Sequence, residues 1–232
     1  MLLTTWQGMP YDISLATGRN LNMLRAFAKL EVVDKLPLAD ADFEEDPYND
    51  VGKCEIQYVE FCGYMSQGSI VPRLPNWDKP DWLQTRQVEA TTVFEQYGYR
   101  VPPVLNDDYK IEGDVTSDCI MPMGMYKDED GHDVHFTYVY EFASNVIGNA
   151  QRPYFLVHVM ETVQTEDGEA ETNYPVFPVK LAEYEDGHAK EYLDALMRNH
   201  IYRFEITSIQ REITVNWTVC PMDKASADIT FN

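Results

Sequence analysis

The chain has 232 residues, enough for one large or two small domains, and 44% of them are apolar, enough for a real core. Its 39 acidic residues against 18 basic ones give a net charge of −21. That balance leaves no basic stripe to displace counterions from nucleic-acid phosphates, and it disfavours docking on anionic lipid.

The opening MLLTTWQGMPYD carries neither a basic n-region nor a long apolar stretch, and no run approaches the length of a membrane-spanning helix. Met1 is therefore read as an added start on a trimmed chain whose export signal lies outside it. Residues 1–20, with Gly8, Pro10 and Gly18, read as a lead-in segment, and 21–232 as the folded domain. LRAFAKLEVVDKL (24–36) fits helical and alternating patterns alike, but its Val pair and the following Pro37 favour a strand. An acidic loop, 39–50, comes next. CEIQYVEFC (54–62) reads as a strand. GSIVPRLPNWDKPDWL (68–83) holds three prolines and two tryptophans, which marks an irregular excursion. Residues 88–99 suit a short helix or strand, and 101–114 a loop.

The strand signal strengthens from 118 onward. CIMPMGMY (119–126) precedes a turn at Asp130-Gly131, a good hairpin dipeptide. HFTYVYEFA (135–143) follows, with Phe136, Tyr138, Tyr140 and Phe142 on one face. YFLVHVMETV (154–163) and YPVFPVKL (174–181) flank a polar turn and form the clearest hairpin. KEYLDALMRNH (190–200) sets Tyr192, Leu193, Leu196 and Met197 at helical spacing, so one short late helix is expected. At the end, Tyr202, Phe204 and Ile206 alternate with polar residues, and so do Ile213, Val215, Trp217 and Val219. Period-two alternation gives strands with one face buried and one face wet. Seven or more strands with long loops make an all-β sandwich the expected fold.

Candidate chemistry is sparse. No G-x-S-x-G, Gly-rich phosphate loop or local cysteine signature occurs, so no catalytic residue and no cofactor is expected. The acidic loop lacks the glycine and glutamate of a calcium-binding EF-hand, and reads as solvated. His132 and His135 flank a turn and would point to opposite strand faces; they read as exposed turn residues, not metal ligands. His158, inside an apolar strand, reads as a half-buried, satisfied histidine. Cys54, Cys62, Cys119 and Cys220 match no zinc spacing. In a straight strand Cys54 and Cys62 lie ~26 Å apart, so they read with the others as isolated, mostly buried thiols. Trp77 and Trp82, with Tyr64, Tyr97 and Tyr99, suit either a sugar-stacking platform or the packing of the excursion onto a sheet. Asn216-Trp217-Thr218 is a glycosylation sequon placed in a strand.

Taken in order, LRAFAKLEVV, FTYVYEF, RPYFLVHV, YPVFPVKL and LMRNHIYRFEITSI, with a tryptophan strand and a tail ending Phe231-Asn232, resemble the C-terminal domain of the fimbrillin family. These are subunits of type V pili and related surface adhesins of Bacteroides-like bacteria. Arg198-Asn199-His200-Ile201-Tyr202-Arg203 is the most specific piece. The resemblance implies a transthyretin-like β-sandwich and a structural, non-enzymatic role at the cell surface or fimbrium, outer-membrane associated. It implies other fimbrial subunits as partners through strand complementation, with a surface receptor or glycan as a further partner and no nucleic acid. Residues 1–20 would then be the remnant of a missing N-terminal domain. The donor candidates are Ile213, Val215, Trp217, Val219, Ile229 and Phe231; the same residues also suit a sandwich's own last strands. Shaft, tip, accessory and anchor roles stay open. The alternative is a cell-surface glycan-binding module using Trp77 and Trp82, and a hydrolase on a β-sandwich comes third.

Overall fold

The structure is a computed structural model that describes residues 27–36, 53–67, 98–106, 117–140, 151–164, 170–193, 195–209 and 213–222, with short pieces at 21–22, 111–112, 142–143 and 226–227. The described residues are almost entirely strand. The main ones are β1 (Phe27–Asp34), β2 (Lys53–Cys62), β3 (Ile120–Pro122), β4 (Gly124–Lys127), β5 (Asp133–Tyr140) and β6 (Tyr154–Gln164). They are followed by β7 (Ala170–Asn173), β8 (Val176–Lys180), β9 (Ala182–Glu185), β10 (His188–Tyr192), β11 (His200–Ile209) and β12 (Ile213–Pro221).

Two sheets of five strands form a sandwich. The first runs β12-β11-β1-β5-β4. The second runs β7-β6-β2-β3, with β8 also paired to β6. All pairings within these two sheets are antiparallel except β1 with β11, where Leu30 sits beside Tyr202 and Val32 beside Phe204. The chain changes sheets at Met123: β3 belongs to the second sheet and β4, directly after it, to the first. The expected hairpin of 154–163 with 174–181 is present, as Tyr154 to His158 pair with Lys180 back to Val176.

The core lies where the alternation puts it. Ala28, Leu30 and Val32 of β1 and Tyr202, Phe204 and Ile206 of β11 face Val59 and Phe61 of β2 and Phe155, Val157 and Val159 of β6. Phe155 bridges the layers, with ring centroids 5.3 Å from Phe61 and 5.2 Å from Phe204. Full burial of each such side chain stabilises the fold by about 1.5–3 kcal/mol. A second, smaller apolar cluster lies on the outer face of the second sheet. There Cys62, Tyr154 and Leu156 are covered by Leu105 and Ile120, and the Tyr154 hydroxyl donates to the Pro103 carbonyl at 3.0 Å.

Two expectations are corrected. The late helix is absent: 188–192 is strand, 195–196 is a short strand paired with 142–143, and 198–199 is a turn. Leu193, Leu196 and Met197 are buried as their apolar character requires, but they reach the core from extended backbone and a turn. Helical spacing over so few residues does not separate the two cases. His135 is not an exposed turn residue. It lies inside β5 on the inner face and is 2% exposed. The described residues hold no helix long and apolar enough to cross a membrane.

Candidate assembly edge and sheet faces

The last strand is the edge of its sheet, and its parity can be read from single bonds. The Val215 N–H donates outward to the Gly187 carbonyl at 3.2 Å, away from β11. Main-chain polar groups alternate sides along a strand. Those of Trp217 and Val219, two and four residues on in unbroken register, therefore also face outward. Asn216, Thr218 and Cys220 pair inward with Glu205, Arg203 and Ile201. The far side of the same sheet agrees, since Ile206 gives its carbonyl to the Lys35 N–H of the strand beyond at 2.9 Å.

A hairpin decides how much of that edge is covered. Strands β9 and β10 meet at Asp186-Gly187, whose φ angles are 51° and 81°, with Glu185 opposite His188. Two consecutive positive φ values define a type I′ turn, which matches strand twist. The Asp186-Gly187 dipeptide is the local sequence signal for this hairpin. Its Gly187 lies against Thr214 closely enough that a Cβ there would collide with the threonine methyl. The hairpin thus caps the edge at 214–215 and, among the described residues, leaves the edge at Trp217 and Val219 unpaired.

Side chains along β12 face the core in a graded way. Val215 is 1% exposed, Ile213 and Trp217 are partly buried against the core, and Val219 is 39% exposed. These four form one row, as the alternation suggested, and the first three pack in their own sandwich. Ile229 and Phe231 lie outside the described residues, as do Trp77 and Trp82. Tyr99 is buried, with its hydroxyl donating to the Gln151 carbonyl at 2.7 Å, so it contributes to no surface platform.

The Arg198-Asn199-His200 stretch ties the two ends of the domain together. Asn199 takes φ 59°, its N–H donates to the Phe27 carbonyl at 2.9 Å, and its carbonyl accepts from the Met222 N–H at 2.7 Å. The start of β1 and the end of β12 are thereby held at one corner. Arg198 is 1% exposed and His200 7%. His200 Nδ1 lies 2.9 Å from the Arg198 carbonyl.

The outer face of the first sheet carries a charged and aromatic network. Glu31, in β1, accepts from Lys29 at 2.6 Å and from the Tyr126 hydroxyl at 2.9 Å, and lies 3.6 Å from Arg203. Arg203 also pairs with Asp128 at 3.3 Å. Burial pulls the Lys29 ammonium down, but Glu31 and Tyr126 outweigh it and hold its pKa above the ordinary value. Phe136 and Tyr138 lie on this outer face, not in the core, and Tyr138 is half exposed, while Tyr140 at the end of the same row is partly buried against the core. On the second sheet, His158 bonds Glu60 at 2.9 Å and stacks on Tyr58, so it is the satisfied, half-buried histidine expected. Among the described residues no group of three His, Cys, Asp or Glu side chains could hold a metal ion.

No family model and no curated protein matches the chain. Solved structures of similar shape are fimbrial and cell-adhesion proteins of Bacteroidales. A candidate cell adhesion protein from Parabacteroides distasonis shares 16% identity at a TM-score of 0.45, over 87% of this chain and 60% of that one. A fimbrilin from Porphyromonas gingivalis shares 14% at 0.40, over 86% and 59%. The tip fimbrial protein Mfa3 from Porphyromonas gingivalis shares 12% at 0.34, over 86% and 52%. The chain thus spans between about half and three-fifths of the length of these structures.

Proposed function

We propose that this chain is a non-enzymatic structural subunit of a fimbria or surface adhesin, joined to other subunits by strand pairing. In this reading residues 21–232 form the assembling domain, with the transthyretin-like connectivity that the fimbrillin resemblance implies, and residues 1–20 lead into it. Its place is the cell surface, associated with the outer membrane. One observation carries the reading: the edge of β12 is capped at Val215 and open at Trp217 and Val219, above an apolar row. An open edge of that kind accepts an added strand, with main-chain bonds giving affinity and alternate side chains giving specificity.

The test is light scattering on the purified chain over a range of concentrations, with and without a peptide of residues 211–232. Association or peptide capture is expected. Val219→Pro removes an outward N–H and should abolish it while the domain still folds. Thr218→Pro removes a bond to β11 and should damage the fold itself. A strict monomer that ignores the peptide overturns the reading.

A glycan-binding module is the second reading. It is favoured by the aromatic outer face, where Tyr138 is 50% and Tyr126 38% exposed beside Lys29.

A further inference from the structure

We propose that His135 and the methionines of the run Met121-Pro122-Met123-Gly124-Met125 form a binding site for a soft monovalent metal ion, Cu(I). The methionines recur at every second residue, a spacing that keeps side chains on one side of an extended backbone. Met121 lies in β3 opposite Phe61, on the face that packs into the core. Met123, where the chain passes from one sheet to the other, is partly buried against the same core. Met125 lies in β4 directly opposite His135, so both belong to the inner face of the first sheet.

Residues directly opposite on one sheet face have Cβ atoms about 4.5–5.5 Å apart, which makes Met125 the lateral neighbour of His135. Met121 reaches across from the second sheet, where its Sδ accepts the Thr137 hydroxyl at 2.9 Å. Thr137 is buried on the same inner face, two residues along β5 from His135. The crossing at Met123 thus brings thioethers from both sheets to the stretch of β5 that carries His135.

A second observation points to a ligand. His135 is 2% exposed, yet its Nε2 has no hydrogen-bond partner among the described residues. A buried polar atom without a partner costs stability unless a water or an ion completes it. Packing alone accounts for Met121 and Met123, since methionine fills irregular gaps in a core. It gives no reason for a buried imidazole beside them, nor for Met125 at the sheet edge, 60% exposed.

The donor set selects the ion. Thioethers are soft and uncharged, and imidazole suits copper, so together they favour Cu(I) over magnesium or calcium, which require several oxygens. Burial holds the His135 imidazole below its ordinary pKa, so it is neutral at about pH 7, the form that binds metal. The Thr137 hydroxyl holds the Met121 thioether in place, as outer-shell hydrogen bonds do at metal sites. Met125 offers the ion a path from solvent.

The test uses the full chain with the exposed thiol removed by Cys220→Ser, because thiols also bind Cu(I). The methionine methyl groups are isotope-labelled and assigned by single substitutions. Ag(I), a redox-inert stand-in, is titrated in, and Cu(I) affinity is measured by competition with a chromophoric chelator. One equivalent of Ag(I) is expected to shift the Met121, Met123 and Met125 methyl signals together, and Cu(I) to raise the melting temperature. Met125→Leu and His135→Leu keep an apolar side chain at each site and should fold. Each should weaken Cu(I) binding at least about ten-fold. Uptake of metal with these three methyl signals unmoved means binding at the remaining thiols only and overturns the proposal. Absence of uptake overturns it as well, as does unchanged affinity in either variant.

Discussion

The Val215 N–H and the Gly187 carbonyl meet at 3.2 Å, and this bond divides the edge of the last strand into a closed and an open part. Gly187 can come that close because it lacks a Cβ and holds φ 81°, a conformation that L side chains rarely adopt. Gly187→Ala would introduce strain at positive φ and a collision with Thr214. We expect a loss of about 1–3 kcal/mol in urea unfolding. Hydrogen exchange should speed up at Val215 and leave the β1–β5 ladder unchanged. Unaltered stability together with unaltered exchange at Val215 would show that the hairpin does not hold the edge.

Glu31 offers a second test, since one nearly buried carboxylate serves groups from three strands. It joins Lys29 of β1, Tyr126 of β4 and Arg203 of β11. Glu31→Ala leaves two cations and a phenol without their shared acceptor. The expected cost is about 2–4 kcal/mol, with Glu31→Gln costing less because it keeps an acceptor for Tyr126. Equal stability of all three proteins would mean that solvent replaces the carboxylate at no cost.

Most of the strand plan was legible because period-two alternation survives wherever one face is dry. Tyr202, Phe204 and Ile206 show it, and so does the row from Val215 to Val219. The stretch around Leu193 to Met197 misled because a buried turn needs the same apolar residues as a buried helix face. His135 misled for a related reason. Proximity to Gly131 suggested a turn, whereas the strand had already begun at Asp133. The open edge was not legible at all. It depends on where the β9–β10 hairpin lands, a long-range contact that no local pattern encodes.

Phe204 tests whether the two sheets share one core. It is fully buried on the first sheet and meets Phe155 of the second at 5.2 Å, edge to face. Phe204→Ala removes a ring from a closed interior and leaves a cavity, for an expected loss of about 3–5 kcal/mol. Phe204→Leu should recover a good part of it. A loss below about 1 kcal/mol in chemical denaturation would mean that the sheets are not packed through this contact.

His135 makes the fold sensitive to acid. Its ring lies on the inner face between Val32 and Met125, and Nε2 has no hydrogen-bond partner among the described residues. Burial lowers its pKa from the ordinary 6.5, against a smaller opposing pull from Asp133. The folded state therefore binds this proton less readily than the unfolded chain does. Its contribution to stability is whole above the ordinary value and is lost progressively as pH falls from there towards the lowered folded value. Asp34 acts in the opposite sense: burial raises its pKa, so its protonated form favours the fold, and that stability fades as pH rises through the folded value. The expected outcome is a drop in melting temperature between about pH 7.5 and 5.5. His135→Leu fills the same apolar site without a titrating group and should flatten that drop. A wild-type profile already flat over this window, or a variant with the same slope, would remove His135 as the acid-sensitive group.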